Sequence, residues 1–323
     1  MSGRYRGAAA RETLDALAAT RAHPELAGLT LLAHALPPDD PQHGRLSEIQ
    51  LVAGENVQEL EARLELSGVV SLLLAAGYSL VLKDGSAAIH DGHSTATGVA
   101  TWQPGVPLPR LHDSDKNPIR RLRAQAAVAA VILYRLRGAG IDPSLIRQVP
   151  ERGTPLKHGI GQFVADHLDD DWDVLPEIQL RRVYGLHMRK DVADRSTDIS
   201  VIGPPNRRLY AIISSKASWR SDRGTEAAQL IPLRRYRPDV PYAVVTGEFP
   251  RVETLIRESP EDRVYHLAPE CWSVWRVVQS TPLTEAVPSL SDLLHAGDQI
   301  LRTIELNGLD TLVKNLRDAG EVL

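Results

Sequence analysis

Short β-rich runs and longer stretches of helical spacing alternate along the chain. Ile199-Ser200-Val201-Ile202 and Leu209-Tyr210-Ala211-Ile212-Ile213 flank Gly203-Pro204-Pro205-Asn206, a cluster of turn formers, so the pattern predicts an antiparallel hairpin over residues 196–216. Pro241-Tyr242-Ala243-Val244-Val245-Thr246 predicts a buried strand from its β-branched content. Val264-Tyr265-His266 reads as a further strand, and Ser79-Leu80-Val81-Leu82 as one turned at Asp84-Gly85. Helical spacing predicts helices over 8–21, Val57 to Leu66, Val69 toward Gly77, and about Ile119 to Gly138. Others begin near Thr154, as a cap with Pro155 in the first position, and near Ser221, and two more lie near 289–303 and 308–319. Leu36 to Pro41 reads as a loop, as do residues 91–98, crowded with Gly, Ser, Thr and His. A Pro-rich connector at 103–109 sets a domain boundary: residues 1–105 are an N-terminal extension and 106–323 the main domain. The expected class is α/β, with a central mixed sheet flanked by helices on both faces.

Composition adds little to this picture and removes some alternatives. The chain has 323 residues, 43% apolar and 24% charged, which is enough for a sizeable core. A net charge of −4 means that any nucleic-acid contact must come from a local cluster of bases rather than from overall charge. Cys271 is the single cysteine, which excludes intramolecular disulfides and thiolate zinc clusters and fits a reducing cytosol. No secretory h-region and no run of eighteen apolar residues occurs, so a soluble, cytoplasmic protein without a membrane partner is expected.

The chemistry concentrates in the hairpin. Ser214 and Lys216 are two apart and point to one face of their strand, while Asp198 opens the preceding strand. A carboxylate and an ammonium meeting at a sheet edge can hold Mg²⁺, polarise a phosphodiester and steer the attacking water. The bland alternative is a solvated Asp–Lys pair. Directly after Lys216 come Arg220, Asp222 and Arg223. Arg donates to the O6 and N7 of guanine and Asp accepts from the N4 of cytosine, so the run can read adjacent G·C pairs in a major groove. An exposed, ion-paired turn is the competing account.

Ser214, Lys216, Arg220, Ser221, Asp222 and Arg223 form S-x-K-x-x-x-R-S-D-R, which resembles the NgoMIV family of type II restriction endonucleases within the PD-(D/E)xK nuclease fold. Ser196-Thr197-Asp198-Ile199-Ser200-Val201, Thr225-Glu226 with Leu230, and the strands at 244–246 and 264–266 extend the resemblance over roughly residues 110–275. It implies a restriction-endonuclease-like core and Mg²⁺-dependent double-strand cleavage of DNA at a palindrome with a CCGG core, GCCGGC among the sites that fit. It also implies a homo-oligomer, dimer or tetramer. Asp198, Ser214, Lys216 and Glu226 take the catalytic positions, and Asp198, the Ser215 carbonyl and Glu226 take the metal. Arg220, Asp222 and Arg223 take the base contacts, and Asp115 takes an outer base pair. The chain departs from the pattern twice. Ser214 stands where most of the superfamily has a carboxylate, which leaves Glu226 to restore the charge. Lys157 occupies the place of an acidic helix residue that assists metal binding.

Several residues keep two readings. Asp115 or Asn117 can cap the helix that follows, and Arg120, Arg121 and Arg123 can contact phosphates or solvate a face. Arg234, Arg235 and Arg237 around Tyr236 can clamp DNA or solvate a helix end. His90 and His93 read as solvated rather than metal-binding, and His266 and Cys271 as buried bystanders. Two rival functions remain: a sequence-specific DNA-binding protein with an impaired nuclease site, and a repair or modification-dependent nuclease of the same fold.

Overall fold

The computed structural model describes residues 8–36, 48–50, 56–83, 86–90, 93–94, 100–101, 106, 108–111, 117–146, 154–183, 186, 196–217, 224–259 and 262–321. In chain order the helices are α1 (Ala8–Ala19), α2 (Ala27–Ala35), α3 (Val57–Leu66), α4 (Val69–Ala75), α5 (Pro118–Gly138), α6 (Thr154–Asp166), α7 (Gly224–Tyr236), α8 (Val252–Glu258), α9 (Pro269–Ser280), α10 (Leu290–Ile304) and α11 (Leu309–Glu321). The strands are β1 (Glu48–Gln50), β2 (Ser79–Lys83), β3 (Ser86–His90), β4 (His93–Ser94), β5 (Ala100–Thr101), β6 (Asp173–Pro176), β7 (Ile199–Gly203), β8 (Arg208–Lys216), β9 (Tyr242–Thr246) and β10 (Arg263–His266). The chain divides into two compact units, each built from separated segments. The first comprises Met1–Ala35, Glu151–Leu267 and Leu306–Leu323, and the second Leu36–Pro150 and Ala268–Glu305. The boundary read at residue 105 falls inside the second unit.

A mixed five-stranded sheet in the order β10-β9-β8-β7-β6 forms the centre of the first unit. β8, β9 and β10 run parallel, while β7 and β6 add on antiparallel. β9 is buried at every position and β8 from Leu209 to Ser214, because both faces of the sheet carry helices. That is why these strands read as continuous apolar runs rather than as alternation. On one face Leu230 and Leu233 of α7 pack with Leu209, Ile212 and Tyr242, and Leu255 of α8 packs with Val244. On the other face α6 lies against β6 and β7, with Gly161 above Ile199 and Val174, and α1 and α2 pack against α6. The turn between β7 and β8 places Asn206 and Arg207 at positive φ. Asn tolerates that conformation, while Arg207 is tied down by an ion pair to Asp173 at 2.8 Å. Gly28 in α2 lies so close to the Leu267 carbonyl that a Cβ there would come within 1.9 Å of the oxygen.

Every residue of α2 is buried, His34 among them. Neither of its ring nitrogens meets a hydrogen-bond partner among the described residues. Burial pushes its pKa down from 6.5 to about 4. The folded protein therefore holds His34 neutral, whereas the unfolded chain takes up a proton below its ordinary pKa. Stability from this group is complete above pH 6.5 and is lost as pH falls toward 4, by about 3 kcal/mol between pH 7 and 4. Urea unfolding at pH 7 and pH 4 is expected to show that loss in the wild type, and a clearly shallower one in His34→Leu.

The second unit contains the small sheet β1-β3-β2, the β4–β5 pair, and helices α3, α4, α5, α9 and α10. α3 begins with a capping box in which Asn56 and Glu59 exchange hydrogen bonds. His93 and Ser94, expected in a loop, form β4 and pair with Thr101 and Ala100. Asn117 is the N-cap of α5, its side chain accepting from the amides of Ile119 (3.0 Å) and Arg120 (3.2 Å). Arg123, read as a phosphate contact or a solvated base, is neither. It is fully buried, and its guanidinium donates to the carbonyls of Val278 (3.0 Å), Pro282 (3.1 Å), Glu285 and Ser67, and to that of Thr281. It serves the last turn of α9, where helix carbonyls lack partners of their own. Cys271, also in α9, is buried, and burial pushes its thiol pKa well up, as expected of a bystander. Among the described residues no helix is long and apolar enough to cross a membrane.

Candidate active site

A β-bulge sets the geometry of the hairpin. Ile199 pairs with Ile213 and Val201 with Ala211, but Ile202 pairs with Leu209, leaving Tyr210 as the extra residue. Continued without that shift, the Ile202–Leu209 register would set Asp198 opposite Ile213, with Ser214 and Lys216 turned to the other face. With the shift, Asp198 falls opposite Ser214. Its Oδ2 accepts from the Ser214 hydroxyl at 3.1 Å and from the Ser215 amide at 2.9 Å. Lys216, two residues past Ser214, shares that face and is half-buried. A diagonal neighbour across a sheet lies roughly 7–8 Å away, within the reach of a Lys side chain.

The site stands where the parallel strands β8, β9 and β10 end. Lys216 pairs with Thr246, which pairs with His266, so three polar residues continue one row across the sheet. The Gly247 amide donates to the Lys216 carbonyl at 3.0 Å, fixing the backbone at the end of β8. His266 is wholly buried, its Nε2 2.7 Å from the Glu248 carbonyl, in agreement with the core role expected for it. The ends of parallel strands are a usual place for ligand sites in α/β sheets, because the strand-to-helix loops open there.

β6 brings in a residue that carried no signal in the sequence. Pro176 pairs with Ile199, and beyond them Gln179 bridges Ser196, so Glu177 stands opposite Asp198. The Glu177 amide donates to the Asp198 carbonyl at 3.1 Å, and Glu177 adopts φ 56°. Its carboxylate meets the Lys157 ammonium at 2.5 Å, from the first turn of α6. Lys157 is largely buried there, beside a groove that includes His158, Gly161, Pro176 and Ile199. The His158 pKa is lowered by burial first and by the Lys157 charge second, with Glu177 opposing both. Lys157, where the resemblance implies an acid, therefore has an acid brought to it from the neighbouring strand.

The remaining sequence-predicted residues fall out as follows. Glu226 lies in α7, directly after the segment that follows β8, but its side chain is outside the described residues. Arg220, Asp222, Arg223 and Asp115 are outside them altogether. The basic cluster at the end of α7 is largely engaged: Arg234 pairs with Asp262 at 2.5 Å, and Arg237 with Asp239 at 2.8 Å. The Arg237 hydrogen bonds hold the Asp239 carboxyl below its usual range. Arg235 lies over the Tyr236 ring.

Among the described residues no group of three or more His, Cys, Asp or Glu side chains gathers to hold a metal. Mg²⁺ does not require such a cage, since it is bound through one or two carboxylates, waters and substrate phosphates. Among the described residues both hydrogen bonds to the Asp198 carboxylate fall on Oδ2, leaving Oδ1 to a cation. Asp198 and the neighbouring Ser215 carbonyl are hard oxygen donors of the kind Mg²⁺ takes. No family model, curated protein or solved structure matches the chain.

Proposed function

We propose that the chain is a Mg²⁺-dependent type II restriction endonuclease of the PD-(D/E)xK kind, cutting double-stranded DNA at a palindrome with a CCGG core as a homo-oligomer. The observation that carries this reading is the Asp198 carboxylate, fixed by the Ser214 hydroxyl and the Ser215 amide on the sheet face that Lys216 shares. When bound, Mg²⁺ neutralises the scissile phosphate and acidifies a water. Asp198 holds the cation, with its orientation set by two donors that leave one oxygen open. Ser214 supplies no charge of its own; it positions Asp198. Lys216 offers its ammonium to the attacking water and to the charge that develops on the phosphate. Glu226, carried on α7, brings the second carboxylate. One observation favours the rival reading, a DNA-binding protein with an impaired site: Lys157, where the resemblance implies an acid, sets an ammonium against Glu177. A plasmid nicking assay with Mg²⁺ separates the two, because the rival predicts binding with no strand breakage.

In the same proposal Arg220, Asp222 and Arg223 read the CCGG core, each Arg forked on a guanine and Asp222 accepting from the cytosine amines. A good bidentate contact discriminates by about 1–3 kcal/mol, and a two-fold assembly on a palindrome feels each loss twice. Asp222→Ala is therefore expected to weaken binding to CCGG-containing DNA by at least about tenfold and to random DNA hardly at all. Gel-shift titrations of both DNAs check this, and an equal fall in the two affinities contradicts the assignment.

A further inference from the structure

We infer that Glu177 is a further carboxylate of the Asp198 metal site, beside Glu226, and that Lys157 competes with the cation for it. The inference rests on the metal-dependent reading above. Strand register sets Glu177 opposite Asp198, with Gln179–Ser196 and Pro176–Ile199 paired on either side. Residues so opposed in an antiparallel ladder have Cα atoms about 4.5–5.5 Å apart, which brings the two backbones together at this edge of the site. Glu177 holds a positive φ that costs a non-glycine residue roughly 1–3 kcal/mol, and such outliers gather at functional positions. Its carboxylate is half-exposed and held by an ammonium that is only 11% exposed.

Lys157 occupies the third position after the Thr154 start of α6, where the family resemblance implies an acid. In this chain the helix contributes the cation and β6 the carboxylate. The consequence is that the site carries its own counter-ion. In the metal-free protein the Lys157 ammonium satisfies Glu177, and a divalent cation must share or take over that carboxylate. The two residues then act on metal binding with opposite signs. Removing Glu177 takes away a ligand, while removing Lys157 takes away a competitor and a like charge. A purely structural ion pair has no such asymmetry, since losing either partner lowers stability and leaves metal affinity alone.

The test is Mn²⁺ titration of the full chain, without DNA, with free Mn²⁺ followed by electron paramagnetic resonance. Wild type, Glu177→Gln, Lys157→Met and Asp198→Asn are compared, with thermal melts to show that each variant is folded. Glu177→Gln is expected to weaken Mn²⁺ binding by at least about tenfold, as Asp198→Asn does, and Lys157→Met to strengthen it by about tenfold. Glu177→Gln and Lys157→Met with wild-type affinity, beside a weakened Asp198→Asn, overturn the inference and leave the Asp198 site standing. Unchanged affinity in Asp198→Asn as well, or no Mn²⁺ binding by the wild type, overturns both.

Discussion

Lys216→Ala is expected to leave DNA binding within about tenfold of wild type while lowering Mg²⁺-dependent cleavage by about 10³-fold. The ammonium shares a sheet face with Asp198 and Ser214, and its backbone is pinned at the end of β8 by the Gly247 amide. In the proposed reaction it acts on the attacking water and on the charge of the transition state. In that proposal it has no part in reading bases, and as one cation among several phosphate contacts it carries little of the affinity. Single-turnover cleavage at saturating enzyme, run beside a gel-shift titration, separates the two effects. Residual cleavage within tenfold of wild type removes Lys216 from the chemistry, and a parallel collapse of binding reassigns it to phosphate contact.

The second large effect is on stability. Arg123→Met is expected to destabilise the protein by about 3–5 kcal/mol, lowering the melting temperature by roughly 4–7 °C. The guanidinium is wholly buried and satisfies carbonyls from Ser67, Val278, Thr281, Pro282 and Glu285. Methionine of similar volume fills the space but leaves those acceptors without a donor, and burial makes each such group costly. Arg123→Lys also fails to rescue, because one ammonium with three donors cannot span carbonyls that a planar fork with five donors reaches. Urea unfolding of the two variants measures this directly. If both unfold as wild type does and DNA affinity falls instead, Arg123 is a phosphate contact and the packing around α9 is misjudged.

Legibility along the chain followed the range of the interactions. Strands β8 and β9 were plain because their apolar runs are unbroken, and α5 because its spacing holds over many turns. The hairpin over 196–216 was equally plain from Gly203-Pro204-Pro205-Asn206. What no local pattern shows is the bulge at Tyr210, yet that single residue decides whether Asp198 shares a face with Ser214 and Lys216. Glu177 is a lone acid beyond a short edge strand, and only the pairing of β6 with β7 sets it against Asp198. Arg123 looked like part of an exposed basic face with Arg120 and Arg121. It is committed to carbonyls more than 150 positions away in the chain, a partnership invisible to helical spacing. Arg234 likewise belonged to a basic cluster in the sequence and to Asp262 in the fold.

The most direct test of the central claim is digestion of plasmid DNA of known sequence by the purified chain with Mg²⁺, followed by sequencing of the ends. The account predicts double-strand breaks at fixed positions within palindromes that contain CCGG, absent without divalent metal and absent with Asp198→Asn. Intact plasmid under those conditions, or ends scattered over sequences without a CCGG core, contradicts it.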